Sequence, residues 1–390
     1  MIVGEGTYRR FSAQEHARRL AAVRDLLQAE ALDAFLICTD SGNNRHNHAD
    51  LHYLTSLLPR HEAYALVPLA ADPTCFITHF NHVPTAQRIS AMPDTRFAGE
   101  EPARTVADRV QAVGLARGRI GLVGRPAYQE YVHWREALPE ATFTDATRSY
   151  RRLRIVKSPE ELEWQRRAAH FCDLAAEALE RELRPGLREF ELADSIEGSY
   201  RRLGGEPHFA YISSTPMRNS TVSVPSQELS DRVIQVGDVL NFEISASYGG
   251  YPGQILRPIF VGEDPTPEYQ RLYEVALEAY RRVAAVLKPG ATAKDVLRAG
   301  AYIDQQGLTI RDGLLHGFGV DLQPPSLRTP GSQQRPPAPF TFAENMTVVI
   351  QPNPETLDAR MGVQIGNLVR ITADGIESLQ KFPFRALRVN

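Results

Sequence analysis

From residue 12 to 31, Leu20, Val23, Leu26 and Leu27 recur at helical spacing, and an apolar run, "DAFLIC", follows directly. Further runs, "AYALVPL", "TCFITHF" and "RIGLVG", read as strands, with helical stretches between them. That alternation predicts an α/β domain ending near residue 150. The pattern then changes at "VKSPEELEWQRRAAHF". Ser158 is placed to cap a helix, Pro159 to occupy its first position and Glu161 to complete a capping box, and a long amphipathic helix follows. The predicted domains are 1–154 and 155–390.

The second domain reads as a degenerate repeat. "LERELRPGLREFELADSI", around Pro185 and Gly186, resembles "VAAVLKPGATAKDVLRAG", around Pro289 and Gly290. Each is a helix stopped by Pro-Gly and followed by a second helical pattern. A strand comes about as far downstream in each half, "GDVLNFEIS" in one and "ENMTVVIQP" in the other, so Glu243 and Gln351 fall in comparable places. Two related α+β halves are expected to face each other across a shared cleft floored by these strands.

Composition narrows the class without choosing a function. The 390 residues suffice for two cores, and 43% hydrophobic with 23% charged residues is ordinary for a soluble globular protein. A net charge of −3 gives no nucleic-acid or membrane footprint. Cys38, Cys75 and Cys172 form no CxxC pair and are expected to be reduced and buried. The start has no apolar leader and no later run reaches membrane-span length, so a cytoplasmic protein is expected. No GxSxG, P-loop or dinucleotide GxGxxG is present.

Five stretches, "SPEELEWQRRAA", "RVIQVGDVLNFEIS", "GGYPGQILRPIFVG", "HGFGVDLQPP" and "AENMTVVIQPNP", occur in an order and at spacings that resemble the pita-bread hydrolases. That family includes methionine aminopeptidase, prolidase, aminopeptidase P, creatinase and ectoine hydrolase. The resemblance covers nearly the whole chain. It implies an α/β N-terminal creatinase-like domain, an α+β C-terminal pita-bread domain with a pseudo-twofold repeat, and a homodimer acting on a small molecule. The metallopeptidases of the family hold two metal ions with two Asp, one His and two Glu. Carried over by motif, those places fall on Glu243, Gln254, His316, Gln351 and Gly366. Only the His is retained, and Glu243 keeps the charge. Two close dications need several carboxylates, and carboxamides are weak ligands, so no metal or other cofactor is expected.

Creatinase and ectoine hydrolase cleave C–N bonds without a metal, using a His upstream of the "GD" turn. The matching place here is Ser226 or Gln227, and Leu256 stands where creatinase has a further Glu. Their mechanism therefore does not transfer as it stands, although ectoine hydrolase shares the "FEI" triplet that carries Glu243. Glu243 and His316 are the acid and base candidates, the first with its pKa raised by an apolar strand and the second before glycines that admit a substrate. Gln254, Gln351, His208, Tyr211 and Tyr251 are candidates for holding the substrate. Arg60 is the candidate for a substrate carboxylate, with His61 and Arg45 beside it, since relatives bring an Arg from this part of the partner subunit. Glu243 as a buried carboxylate satisfied by backbone donors or by Arg257 or Arg370, and His316 packed in a glycine turn, are the structural alternatives.

The stretch with His46, His48, Asp50 and His52 fits no compact zinc motif, and a polar loop entering a helix explains it. The leading expectation is a metal-independent hydrolase of a C–N bond in a small amino-acid-like or nitrogen-containing molecule. The same residues would also serve a lyase or isomerase. An inactive binding module and an Xaa-Pro-type metallopeptidase with altered ligands are the other readings.

Overall fold

The computed structural model describes residues 7–42 and 45–390, and the side chain of Arg45, with any role for it, lies outside the described residues. Contacts divide the chain into two units, Met1–Arg154 and Ile155–Asn390.

The first unit runs α1 (Ala13–Ala29), β1 (Ala34–Cys38), α2 (Ala49–Thr55), β2 (Ala63–Pro68), β3 (Thr74–Ile77), α3 (Val83–Ile89), β4 (Asp94–Phe97), α4 (Pro102–Ala112), β5 (Arg119–Gly124), α5 (Tyr128–Ala137), β6 (Thr142–Asp145) and α6 (Thr147–Arg152). Ser12 starts α1 by accepting the Glu15 backbone N–H. The strands form one mixed sheet in the order β4-β3-β2-β1-β5-β6, with an apolar core on each face. The histidine-rich stretch enters α2 as a loop would. Asp50 there is buried and held by Arg151 at 2.8 Å and Arg154 at 2.7 Å, so its charge anchors α2 to the end of the unit.

The second unit comprises α7 (Pro159–Glu182), α8 (Leu192–Arg201), β7 (Glu206–Pro216), β8 (Asp238–Tyr248), β9 (Tyr251–Pro252), β10 (Ile255–Val261), α9 (Pro267–Val286), α10 (Ala293–Gln305), β11 (Leu315–Phe318), β12 (Leu322–Leu327), β13 (Thr347–Ile350), β14 (Gly366–Ile371), β15 (Ile376–Ser378) and β16 (Leu387–Val389). The capping box on α7 is present: Ser158 Oγ accepts from Glu161 N, and Glu161 Oε2 accepts from Ser158 N. The main sheet runs β12-β11-β13-β14-β10-β8-β7, with β15, β16 and β9 attached to its flanks.

The repeat is legible in hydrogen bonds. Gly186 N donates to Ile234 O and Ile234 N to Leu187 O; Gly290 N donates to Phe342 O and Phe342 N to Ala291 O. Both glycines have positive φ, 97° and 87°, which is why each helix stops at Pro-Gly. Glu243 lies nine residues after Ile234, and Gln351 nine after Phe342. The two halves meet where β10 and β14 pair antiparallel, with Leu256 opposite Gly366.

Strand register sorts the side chains onto two faces. Phe242, Ile244, Ile255 and Ile259 pack with α7 and α8, while Leu315, Val348, Ile350 and Val369 pack with α9 and α10. The other face carries the remaining parity. Tyr211 opposes Glu243, Glu243 opposes Leu256, and Leu256 opposes Gly366. Leu368 opposes Val349, and Val349 opposes His316. Gln254 and Gln351, two places along from Leu256 and Val349, share that face.

Candidate active site

The polar face converges on four side chains. Gln254 Nε2 donates one hydrogen to Glu243 Oε1 at 2.7 Å and the other to Gln351 Oε1 at 2.9 Å. His316 Nε2 lies 3.1 Å from the same Gln351 oxygen. Gln351 Nε2 donates to Asp312 Oδ2 at 3.0 Å, and Asp312 Oδ1 accepts the Gly313 N–H at 2.7 Å. An ionised Asp312 accepts only, so it fixes the direction of Gln351, which in turn fixes that of Gln254. Glu243, Gln254, Gln351 and His316 are each at most 9% exposed, which removes bulk water as a substitute partner.

Burial sets the charges. Desolvation, helped by the negative charge of Asp312, pushes the Glu243 carboxyl up to about 8, so it is mostly protonated at neutral pH. Desolvation pulls His316 below its ordinary range, while the Gly317 carbonyl, Asp312 and Gln351 oppose that pull. Tyr211 is raised by burial and by the nearby Glu243 and Asp312. The two arginines considered as partners of Glu243 bond elsewhere: Arg257 donates to the carbonyls of Leu256, Gly366, Phe382 and Pro383, and Arg370 pairs with Glu377 and Glu344.

Aromatic rings continue the face. Phe209 stacks on Tyr211 with centroids 4.4 Å apart, and His208 lies 5.4 Å from Phe209 and 5.9 Å from Phe318. A register shift in β7 between Pro207 and Phe209 makes room for His208. Tyr211 therefore lies opposite Glu243, and His208 lies against Phe318, two residues after His316. Gln254 and Gln351 are at the centre, but their hydrogen bonds go largely to each other and to Glu243 and Asp312. Of the amide atoms of these two residues, Gln254 Oε1 is left buried without a partner.

Two expectations change, those for Tyr251 and for the glycines after His316. Tyr251 is no pocket residue: its hydroxyl donates to Glu161 Oε1 at 2.6 Å, tying β9 to the start of α7. Arg60 is exposed in the first unit. The glycines after His316 admit the protein's own backbone, because a Cβ on Gly317 would lie 2.5 Å from Pro324 O. Asp312 was missed by sequence reasoning. Its only signal was an acid four residues before His316, in a loop outside every recurring motif.

The family's dinuclear metal centre does not fit these residues. Gln254 turns N–H groups, not an oxygen, toward both Glu243 and Gln351, and a hydrogen-bond donor there repels a cation. At Gly366 a Cβ would lie 2.5 Å from Ile350 O and 2.8 Å from Leu256 Cδ1, so a carboxylate side chain has no entry. Among the described residues, no group of three or more His, Cys, Asp or Glu could hold a metal ion. No helix among them is long and apolar enough to cross a membrane.

Comparison with known proteins agrees with this architecture. Residues 163–373 match metallopeptidase family M24, and residues 19–156 match the creatinase/prolidase N-terminal domain. The chain is 26% identical to the uncharacterized peptidase YqhT of Bacillus subtilis, over 94% of this chain and 98% of that one. It is 25% identical to a creatinase from a Bacillus species, over 98% and 94% of the two chains. The crystal structure of dipeptidase PepE from Mycobacterium ulcerans superposes with a TM-score of 0.81 at 23% identity, covering 98% of this chain and all of that one. At that identity the likeness speaks to the fold.

Proposed function

The chain belongs to metallopeptidase family M24, and from that membership we propose a hydrolase that cleaves a C–N bond in a small nitrogen-containing molecule without a metal ion. One observation carries the reading: a carboxamide N–H occupies the place between Glu243 and Gln351 where a cation would need an oxygen. The unpartnered Gln254 Oε1 supports a substrate with N–H donors, since a buried acceptor is costly until something donates to it.

The residues divide the reaction between them. His316, neutral through burial, takes one proton from water as its oxygen bonds to the carbon. Glu243, protonated through burial, gives its proton to the leaving nitrogen as the C–N bond breaks. Turnover leaves Glu243 ionised and His316 charged, and passing one proton back restores both. Tyr211, opposite Glu243 in register, and His208 line the aromatic side of the substrate. The working form is a cytoplasmic homodimer, with Arg60 reserved for a substrate carboxylate.

The test is metal content by plasma mass spectrometry together with a turnover screen of amidines, guanidino acids and dipeptides. Below about a tenth of an equivalent of metal, with turnover that falls at least about a hundredfold in Glu243→Gln, the proposal stands. One equivalent of a transition metal that activity requires would return the Xaa-Pro peptidase reading.

A further inference from the structure

One step along the strands from Glu243 and Gln351, the same face carries a second row of buried amides. Asn241 lies two residues before Glu243 on β8, so it shares that face, about 7 Å along the strand. Past the end of β13 the chain keeps its pairing with the approach to β14: Ile365 N donates to Pro352 O and Val363 N to Pro354 O, both at 3.3 Å. Between those two bonds Asn353 and Gln364 stand opposite each other, as a pair whose side chains approach closely. Asn353 follows Gln351 by two residues and Gln364 precedes Gly366 by two, which places both on the face of the candidate site. Asn241 Nδ2 donates to Gly362 O at 3.0 Å, which joins β8 to this pair of segments.

The hydrogen bonds leave three oxygens over. Asn241 and Asn353 give amide hydrogens to the carbonyls of Gly362 and Gly313, which only accept, so each turns its own oxygen elsewhere. Asn241 Oδ1, Asn353 Oδ1 and Gln364 Oε1 are buried with no hydrogen-bond partner among the described residues. Each of the three residues is 1% exposed, so bulk water does not serve them. An orphaned buried acceptor is costly, and three on neighbouring segments call for a group that donates to all of them.

The kind of donor follows from what the row lacks. Water or a carboxamide would bring acceptors of its own, whereas a primary ammonium brings three N–H donors and no acceptor. Glu355, two residues beyond Asn353 and fully buried, puts a carboxyl at the end of the row, where it accepts from Ser223 Oγ and pairs with Arg311 at 3.1 Å. Burial lifts that carboxyl above its ordinary range while Ser223 and Arg311 oppose the lift, and a cation bound nearby would draw it further towards the charged form. We infer that Asn241, Asn353 and Gln364 form a subsite for a primary ammonium group, so that the substrate carries a free amino group about 7 Å from the end that meets Glu243. That places the substrate among small amides or amidines with an amino group at the far end. The substrate role rests on the proposed hydrolysis; binding of the amine does not.

Butylammonium, butanol and butyramide test this, since they differ in the polar end alone. Titrations of the full-length protein at pH 7, read by saturation-transfer NMR, should show butylammonium binding at least about tenfold tighter than either neutral analogue. Gln364→Met keeps the length of the side chain and removes the acceptor, and it should weaken the amine about tenfold while leaving the neutral analogues as they were. Gln364→Glu puts a carboxylate in the same place and should tighten the amine about tenfold. Circular dichroism checks that each variant folds, and Gln364→Glu decides the matter should Gln364→Met fail to. Equal binding of the three probes would overturn the inference, and so would an amine affinity indifferent to Gln364; the row would then hold ordered water only. Failure of the hydrolase reading shows elsewhere, as unaltered turnover in Glu243→Gln, and leaves these affinities in place.

Discussion

Glu243→Gln is expected to remove turnover and to stabilise the protein, by an amount that grows with pH. A carboxyl that titrates at 4.5 when free is pushed to about 8 in the fold, mainly by desolvation. A group with a raised folded pKa favours the fold most when it is protonated in both states, below its unfolded value. That advantage is lost as pH climbs from 4.5 towards 8, because the unfolded chain can ionise and the folded one resists. At about 1.4 kcal/mol per pKa unit, the cost is about 1 kcal/mol at pH 5, about 3 at pH 7 and about 4 at pH 8. Gln has nearly the same shape, keeps an acceptor for Gln254 Nε2 and has no proton to lose. The stability difference between variant and parent should therefore widen by about 3 kcal/mol between pH 5 and pH 8. Urea denaturation at four pH values across that range, followed by circular dichroism and extrapolated linearly, measures it. A difference that stays constant with pH would mean that Glu243 is ionised throughout, and the acid role given to it would fall.

Three further outcomes are expected. Gly366→Ala should cost about 1–3 kcal/mol in denaturation, because its Cβ meets the Ile350 carbonyl and Leu256; Gly366→Glu should be worse and should bind no zinc in calorimetry. Tyr251→Phe should cost about 1–3 kcal/mol by removing the donor to Glu161, yet leave ligand affinity unchanged, whereas a loss of affinity would return Tyr251 to the pocket. Arg257→Met should cost at least about 3 kcal/mol, since the carbonyls of Leu256, Gly366, Phe382 and Pro383 lose a common donor. Faster amide exchange over residues 380–384 is its local signature.

What the sequence displayed depended on how local the physics was. The Ser158–Glu161 capping box and the Pro-Gly helix stops involve neighbours in the chain, and both were legible. The correspondence of Glu243 with Gln351 was legible too, because it needs only a count along two similar halves. Partners that arise between distant segments were not. Nothing near Tyr251 announces that its hydroxyl goes to Glu161 in α7, and the glycines after His316 gave no hint that β12 fills the space they leave. Asp312 was hidden for a related reason. Its importance lies in an amide 39 residues away, whose direction it decides. Gln254 and Gln351 were expected as substrate-binding groups; the hydrogen-bond directions reveal that they bond to each other, to Glu243 and to Asp312.

The internal repeat has a bearing on how a ligand can sit. A cavity framed by two equivalent halves would accept a molecule in either of two opposed poses, and half of all encounters would then be unproductive. Here the related places differ by one group, a carboxyl at 243 and a carboxamide at 351, both joined to a single nitrogen of Gln254. That nearly isosteric exchange leaves the frame alone and lifts the degeneracy: a difference of about 1.4 kcal/mol between the poses already favours one of them tenfold. The halves can remain structurally alike while the chemistry acquires a direction.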